Sequence, residues 1–344
     1  MASAAGGPDR YGRQRLYAPL GEEGQARLRA ATVAIVGLGA LGCASATLLA
    51  RSGVGRLRLY DRDFVELDNL QRQVLYDESD VAQDLPKARA AARRLRAING
   101  EVALEPFVTD VNAANIRSVT QGADLVMDGT DNFETRMLIN EACLEAARPW
   151  VYAGCLGASA AAMAIVPGRT PCLRCLLPAL PPPGSSLTCD TAGILNSAVM
   201  SAVSFQVAEA TKILAGKLEA LVAGVFSADL WQGEFHVFRL QRDPDCPACA
   251  HGRFDHLNGA AGSQATSLCG RRAVQIVPAA TTPVDLDALA RRLSAAGAVR
   301  RSEFLLKFAA EGFEMTVFGD GRAIIKGTDD IARARSLYAR YIGT

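Results

Sequence analysis

A single turn restricts the fold of this chain more than any other feature. Val33-Ala34-Ile35-Val36 runs directly into Gly37-Leu38-Gly39-Ala40-Leu41-Gly42, a G-x-G-x-x-G spacing between an apolar strand-like stretch and a helix-like run. Residues without a Cβ allow a tight turn and a close backbone approach to a ligand, and the helix that follows offers unpaired N–H groups to a phosphate. Asp61 ends the next apolar stretch, placed to accept hydrogen bonds from ribose hydroxyls. A tight turn with no ligand is the plain alternative. These residues alone leave NAD, FAD and ATP open.

The rest of the first 155 residues repeats the same alternation. Strands are expected at Thr32–Val36, Arg56–Tyr60, Val102–Val108, Ala123–Met127 and Trp150–Ala153. Helices are expected at Gly39–Ser52, Leu85–Ile98, Asn112–Val119 and Asn132–Ala147. Such alternation predicts an α/β fold: a doubly wound, mostly parallel sheet covered on both faces. Leu156–Val166, Val222–Ser227 and Glu234–Leu240 then read as an antiparallel extension, interrupted by a Pro/Gly/Ser loop at 178–186 and a long helix at 194–216. With 344 residues the chain has room for about two domains. We expect a disordered stretch at 1–10, a main domain at 11–250, a linker at 251–266 and a small C-terminal α+β domain at 267–344. That last domain should hold strands at Ala273–Val277, Glu303–Phe308, Phe313–Phe318 and Ala323–Lys326, with helices at Leu286–Ala296 and Asp330–Tyr341.

Charge and composition exclude several classes. Lys+Arg 37 against Asp+Glu 36 leaves no overall basic footprint for nucleic acid. The 194–216 stretch carries Asn196, Gln206, Glu209 and Lys212, so it reads as a buried helix and not a membrane span. The first residues lack the basic-then-apolar order of a signal peptide, and a cytoplasmic protein is expected. An odd count of nine cysteines argues against a disulfide framework and for metal binding or catalysis.

Two further clusters carry chemistry. Asn69, Arg72, Lys87 and Arg13 are dispersed polar and cationic groups that suit a triphosphate better than the diphosphate of NAD; solvated surface charge is the alternative. Asp128-Gly129-Thr130-Asp131-Asn132 follows the fourth strand, where carboxylates face the ligand crevice. An acid there could hold Mg²⁺ against nucleotide phosphates, or Asp131 and Thr130 could simply cap the next helix. Cys172-Leu173-Arg174-Cys175 and Cys246-Pro247-Ala248-Cys249 are two C-x-x-C pairs. Four thiolates satisfy tetrahedral Zn²⁺, although the pairs are too far apart for a local ribbon and two redox motifs are the rival.

This combination resembles the ThiF/MoeB/HesA family, relatives of the ubiquitin-activating enzymes. RYGRQ (10–14), VGLGALG (36–42), YDRDFVELDNLQRQ (60–73), PK (86–87), GTDN (129–132), both C-x-x-C pairs and LTC (187–189) carry the resemblance, which covers about residues 8–250. It implies a Rossmann-like fold and ATP-dependent adenylation of the C-terminal glycine of a small ubiquitin-like carrier protein ending in Gly-Gly. It also implies release of pyrophosphate and later thiocarboxylate formation with a separate sulfur donor. Carried over, Gly37, Gly39, Gly42 and Asp61 are the glycine-turn and ribose contacts, Asn69, Arg72 and Lys87 the triphosphate contacts, and Asp131 the acid that organises Mg²⁺. Arg13 resembles the arginine that family homodimers supply from the neighbouring subunit. Cys172, Cys175, Cys246 and Cys249 become a structural Zn²⁺ site. Cys189 resembles a loop cysteine that in some members joins the carrier covalently and in others is dispensable. One departure stands out: the family often reads G-Q-P-K with a shorter gap, where this chain has Gln83-Asp84-Leu85-Pro86-Lys87.

Cys43 and Cys143 read as packing. The 267–344 unit lacks a rhodanese-type C-R-x-G-x-x-S loop, so its expected duties are docking or dimer packing. Three competing readings are an NAD-dependent oxidoreductase, a conjugation-type activating enzyme with a thioester on Cys189, and a non-catalytic zinc-containing scaffold that binds a carrier.

Overall fold

β1 (Thr32–Val36) is buried along almost its whole length, and its side chains divide between two cores. Val33 and Ile35 enter one; Ala34 and Val36 enter the other. A strand apolar on both faces needs cover on both sides, and this computed structural model provides it. It describes residues 9–178, 192–258, 264–268, 272–278, 283–310 and 312–342. β1 pairs in parallel with β2 (Arg56–Asp61) and β4 (Leu125–Asp128). β3 (Ala103–Val108) lies outside β2, and β5 (Trp150–Leu156) lies beyond β4. β6 (Ser159–Ile165), β7 (Val225–Asp229) and β8 (Glu234–Phe238) then extend the sheet antiparallel, giving the order β3-β2-β1-β4-β5-β6-β7-β8. The doubly wound sheet and its antiparallel extension are as expected.

The helices Ala40–Arg51, Lys87–Ile98 and Asn196–Leu214 cover one face. Ile116–Gln121 and Phe133–Glu145 cover the other. The Asn196–Leu214 helix is buried on Ala198, Val199, Ala202 and Val203, and it buries the polar Gln206 as well. The Gln206 amide donates to the Asp128 carbonyl at 2.8 Å and to the Val151 carbonyl at 2.9 Å, tying β4 to β5. Among the described residues no helix is long and apolar enough to cross a membrane.

The C-terminal unit is a six-stranded antiparallel sheet. β9 (Gln264–Leu268), β10 (Ala273–Val277), β11 (Ala298–Arg301), β12 (Leu305–Ala310), β13 (Phe313–Phe318) and β14 (Ala323–Lys326) take the order β11-β12-β13-β14-β10-β9. β9 and β11 are the two edges, and sequence patterning did not single them out. β11 is short, arginine-bearing and mostly exposed, so it carries no buried alternation to read. β9 begins inside the Gly/Ala/Ser-rich 251–266 stretch, which also holds a helical turn at Asp255–Asn258. The helices Leu286–Leu293 and Ile331–Tyr341 cover one face of this sheet. On its other face Ala273, Leu305, Phe318 and Ile324 pack against Phe64, from the loop after β2.

The strand order reverses between β1 and β4, and there the two turns touch. Gly37 has φ +85°, a conformation L side chains rarely adopt. A Cβ on Gly129 would lie 2.2 Å from the Gly37 carbonyl oxygen. Gly129→Ala should therefore destabilise the chain by about 2–3 kcal/mol, the cost of overpacking against backbone that cannot move aside. Gly319→Ala, where an added Cβ meets nothing within 4 Å, should stay within about 0.5 kcal/mol of the parent. Urea denaturation of both variants checks this, and equal stabilities would show that the close approach is not required.

Candidate functional site

The crevice at the β1–β4 reversal gathers the glycine turn, Asp61, Lys87 and the turn that carries Asp131. The glycine turn leads into the Ala40–Arg51 helix, with extended Gly39 at the N-cap and no side chain on it to fill the anion position. A Cβ on Gly42 would sit 1.9 Å from the Gly37 carbonyl oxygen, so this helix starts directly against the turn. Asp61, at the end of β2, is buried and accepts from the Leu38 N–H at 2.6 Å and the Asp63 N–H at 2.7 Å. Burial pushes its carboxyl up from the usual carboxylate range, against the opposing pull of Lys87. Each carboxylate oxygen keeps a lone pair for a ribose hydroxyl.

Lys87 is almost fully buried at the first position of its helix, with Nζ 3.5 Å from Asp63 Oδ2. A short ribbon holds it in place. The Lys87 N–H donates to the Asp63 carbonyl at 2.9 Å, the Val65 N–H donates to the Leu85 carbonyl at 3.0 Å, and Phe64 bridges Pro86. Asn69 lies within its own turn: Oδ1 accepts from the Glu66 N–H at 3.3 Å, and Nδ2 donates to Asp68 Oδ1 at 2.8 Å. Arg72 is half-buried and donates to the Asp68 carbonyl at 2.7 Å.

After β4 the two acids divide their duties. Asp128 is fully buried; it accepts from the Thr130 N–H at 2.9 Å, the Thr130 hydroxyl at 2.7 Å and Arg136 Nε at 3.0 Å. Burial pushes its carboxyl up, opposed by Arg136. Arg136 also donates to the Thr130 and Ala153 carbonyls, so the pair is a satisfied strut between β4, β5 and the Phe133–Glu145 helix. The cap of that helix is Asn132, whose Oδ1 accepts from the Thr135 N–H at 2.8 Å. Asp131 is therefore not needed as the cap. It is exposed at the crevice, where its charge adds to those of Asp110 on Arg62 and Asp128 on Arg136, which hold both guanidinium pKa values up against burial.

Arg13 is not brought to this crevice. Asn99 Nδ2 donates to the Tyr11 hydroxyl at 2.8 Å and to the Ala50 carbonyl at 2.7 Å, while Gln14 Nε2 donates to the Ser52 carbonyl at 3.0 Å. The N-terminal motif is thus docked at the C-terminal end of the Ala40–Arg51 helix. That is about 18 Å from the glycine turn at 1.5 Å per residue. Arg13 stands exposed there, beside Leu16 and Tyr17, which are 84% and 66% exposed.

Three participants carried no sequence signal that we used. The Tyr76 hydroxyl donates to the Leu38 carbonyl at 2.8 Å and clamps the glycine turn. Gln73 is buried with its Oε1 unpartnered and its Nε2 near Gly39; its place directly after Arg72 was the available hint. Arg62 pairs with Asp110 at 2.9 Å at the C-terminal ends of β2 and β3.

Outside the crevice, the four C-x-x-C cysteines converge. Their sulfurs lie within 4.8 Å of one another. The separations are 3.9 Å for Cys172–Cys175, 3.6 Å for Cys172–Cys246 and 3.5 Å for Cys175–Cys249. Tetrahedral bonds of about 2.3 Å put sulfurs about 3.8 Å apart, whereas a disulfide needs about 2.05 Å. The group can therefore hold a metal, and the wide sequence gap is closed by folding. Asn140 anchors the first knuckle by accepting from the Leu173 N–H at 2.9 Å. Cys43 and Cys143 are buried, and burial pushes the Cys43 thiol up to about 12, which keeps it inert at neutral pH. Cys189 and Cys269 lie outside the described residues.

Residues 11–248 match the ThiF family. Over 338 residues the chain is 46% identical to the sulfur carrier protein ThiS adenylyltransferase of Bacillus subtilis, spanning 97% of this chain and 99% of that protein. It is 38% identical over 249 residues to the SAMP-activating enzyme E1 of Haloferax volcanii, spanning 72% of this chain and 91% of that one. Among solved structures, E. coli MccB superposes with a TM-score of 0.62 at 25% identity, over 70% of this chain and 72% of that chain. The chain belongs to the ThiF family.

Proposed function

We propose that this chain, an adenylyltransferase, activates the C-terminal glycine of a small ubiquitin-like sulfur-carrier protein with ATP. The observation that carries the reading is the meeting of Asp61, Lys87 and the turn that bears exposed Asp131 around one glycine turn at the sheet's reversal point. The 46% identity across nearly the whole chain to a protein named for adenylating ThiS supports the same substrate class.

The carrier's carboxylate is already ionised at neutral pH and needs no general base. It attacks the α-phosphorus of ATP, the bond to the β-phosphate oxygen breaks, and pyrophosphate leaves an acyl-adenylate. Positioning and charge neutralisation supply the acceleration. Asp61 takes the ribose, the glycine turn and its helix N-terminus approach the phosphates, and Lys87 and Arg72 stabilise the developing charge. Asp131 would hold Mg²⁺, which when bound neutralises phosphate charge; its freedom from capping fits that role. Arg13 lies too far from its own crevice, so its contribution would come from a second copy in a homodimer.

An apolar surface that begins at Phe133, two residues after Asp131, supports a protein substrate. Phe133, Tyr152, Leu176 and Val225 line a groove beside edge strand β8, on which Phe235, Val237 and Phe238 are exposed. Sulfur would come from a separate donor. A thioester on Cys189 is the second reading, favoured by the identity to the protein named a SAMP-activating enzyme E1. The four-cysteine group is read as structural Zn²⁺.

Three outcomes follow. Asp131→Ala should cut carrier-dependent ATP–pyrophosphate exchange by about a hundredfold or more with the fold intact, as loss of a metal-organising charge requires; retained exchange sinks the assignment. If the parent neither exchanges nor binds ATP, the scaffold reading leads. Mixing Arg13→Ala with Asp131→Ala chains under exchanging conditions should restore about a quarter of parental activity, since half the dimers keep one intact site. No recovery on mixing would rule out the shared site. Metal analysis should find one zinc per chain, lost in Cys172→Ser together with stability on the order of several kcal/mol; a metal-free parent of unchanged stability would refute the zinc site.

A further inference from the structure

The C-terminal unit grips the ribbon that carries Lys87. Asp84, three residues before Lys87, is buried, with φ +47°. Its two carboxylate oxygens are taken by two residues of the second sheet. Lys307 Nζ, on β12, is 2.8 Å from Oδ1, and Arg300, on β11, pairs with Oδ2. On the other arm of the ribbon, Lys326 of β14 pairs with Glu66. Between these pairs sits Phe64, buried against Leu305, Phe318 and Ile324, with Lys307 Nζ 4.4 Å from its ring centroid. Arg322, nearly fully buried, reaches the Arg62 carbonyl at 3.4 Å. Both arms of one short ribbon are therefore held from outside by one rigid sheet. From inside, the same ribbon presents Lys87 and Asp63 to the crevice.

We propose that the C-terminal unit braces the nucleotide site, with Asp84, Lys307, Arg300 and Lys326 as positioning residues that fix the height and direction of Lys87. This deepens the adenylation reading and rests on it. Two backbone hydrogen bonds, which together make the one bridge at Phe64 and Pro86, cross the ribbon, a pairing of marginal stability by itself. Charged hydrogen bonds to a buried carboxylate are stronger than neutral ones and lose little to solvent. The arrangement matters most where a phosphate must meet an ammonium within fractions of an ångström.

The test uses the full chain carrying Asp84→Asn, which keeps the left-handed backbone accessible and removes the charge, and separately Lys307→Met and Lys307→Arg. The Val65 and Lys87 amides report the ribbon by hydrogen exchange without nucleotide. ATP affinity and the KM and kcat of pyrophosphate exchange report the site. Asp84→Asn and Lys307→Met should each speed exchange of those amides by about tenfold, raise the ATP KM by about fivefold or more and lower kcat as well, since Lys87 also meets the charge that develops in the transition state. The two changes together should do no more than either alone, and Lys307→Arg should restore most of the affinity. Arg301→Met, which breaks only the pair with Asp287 inside the C-terminal unit, should change neither readout. A lower melting temperature with unchanged ATP KM, or unchanged exchange at Val65 and Lys87, overturns the brace. A parent that does not bind ATP overturns the adenylation reading instead, and the nucleotide-free exchange data keep the two failures apart.

Discussion

The Gly37 carbonyl oxygen is the contact on which the rest of the architecture turns. The first turn of the Ala40–Arg51 helix and the turn after β4 both press on it, through Gly42 and Gly129, at distances no side chain would tolerate. Because two backbones share one atom, the helix N-terminus and the Asp128–Asn132 segment are fixed relative to each other before any ligand arrives. Asp61 and Tyr76 then take the Leu38 N–H and carbonyl, so the residue after Gly37 is pinned from both sides. A phosphate entering here meets preorganised donors and pays little ordering entropy.

Around that point the charges are arranged in two classes. Asp128 and Arg136 are both buried and hydrogen-bonded to each other and to Thr130, a pair that would cost about 3–5 kcal/mol to break from one side. Its role is to hold β4 to the helix beyond it. Lys87 has a half-exposed partner, Asp63, at 3.5 Å, a longer and softer contact. A cation in that state is held in the crevice yet can exchange its partner for a phosphate oxygen. The site thus separates carboxylates that bear structural load from those available for chemistry. Position in the sequence, Asp128 before Asp131, does not reveal which is which.

Much of this was legible in the chain itself. Both-face burial makes parallel strands continuous apolar runs, so β1 falls where the pattern put it, and β10, β13 and β14 do as well. The cysteine pairs were readable as ligands because tetrahedral sulfur has few other uses, but their convergence across 74 residues is tertiary. Edge strands β9 and β11 escaped because an edge needs no alternating core face. Tyr76 escaped because a hydroxyl aimed at a carbonyl 38 residues away leaves no local periodicity. Arg13 was read as an arginine for a neighbouring subunit's site, and the docking of Tyr11 and Gln14 at the far end of the Ala40–Arg51 helix is the tertiary reason that it stands away from its own crevice.

The departure from the G-Q-P-K pattern falls where the two halves of the chain are joined. Asp84 occupies the position where a G-Q-P-K segment has glycine, and its φ of +47° is the conformation glycine would supply. An L residue there gives up roughly 1–2 kcal/mol of backbone preference, though aspartate is among the least penalised. Glycine would keep the turn but leave Lys307 and Arg300 without an acceptor, and Lys307 is only partly exposed, so its charge would remain poorly solvated. The two charge-assisted contacts offset the backbone cost, so the departure coheres energetically only with the second sheet present. In a chain without that sheet the same aspartate would keep its backbone cost with neither cation to offset it. The strained aspartate and the C-terminal unit therefore form one structural feature, spread over 223 residues of sequence.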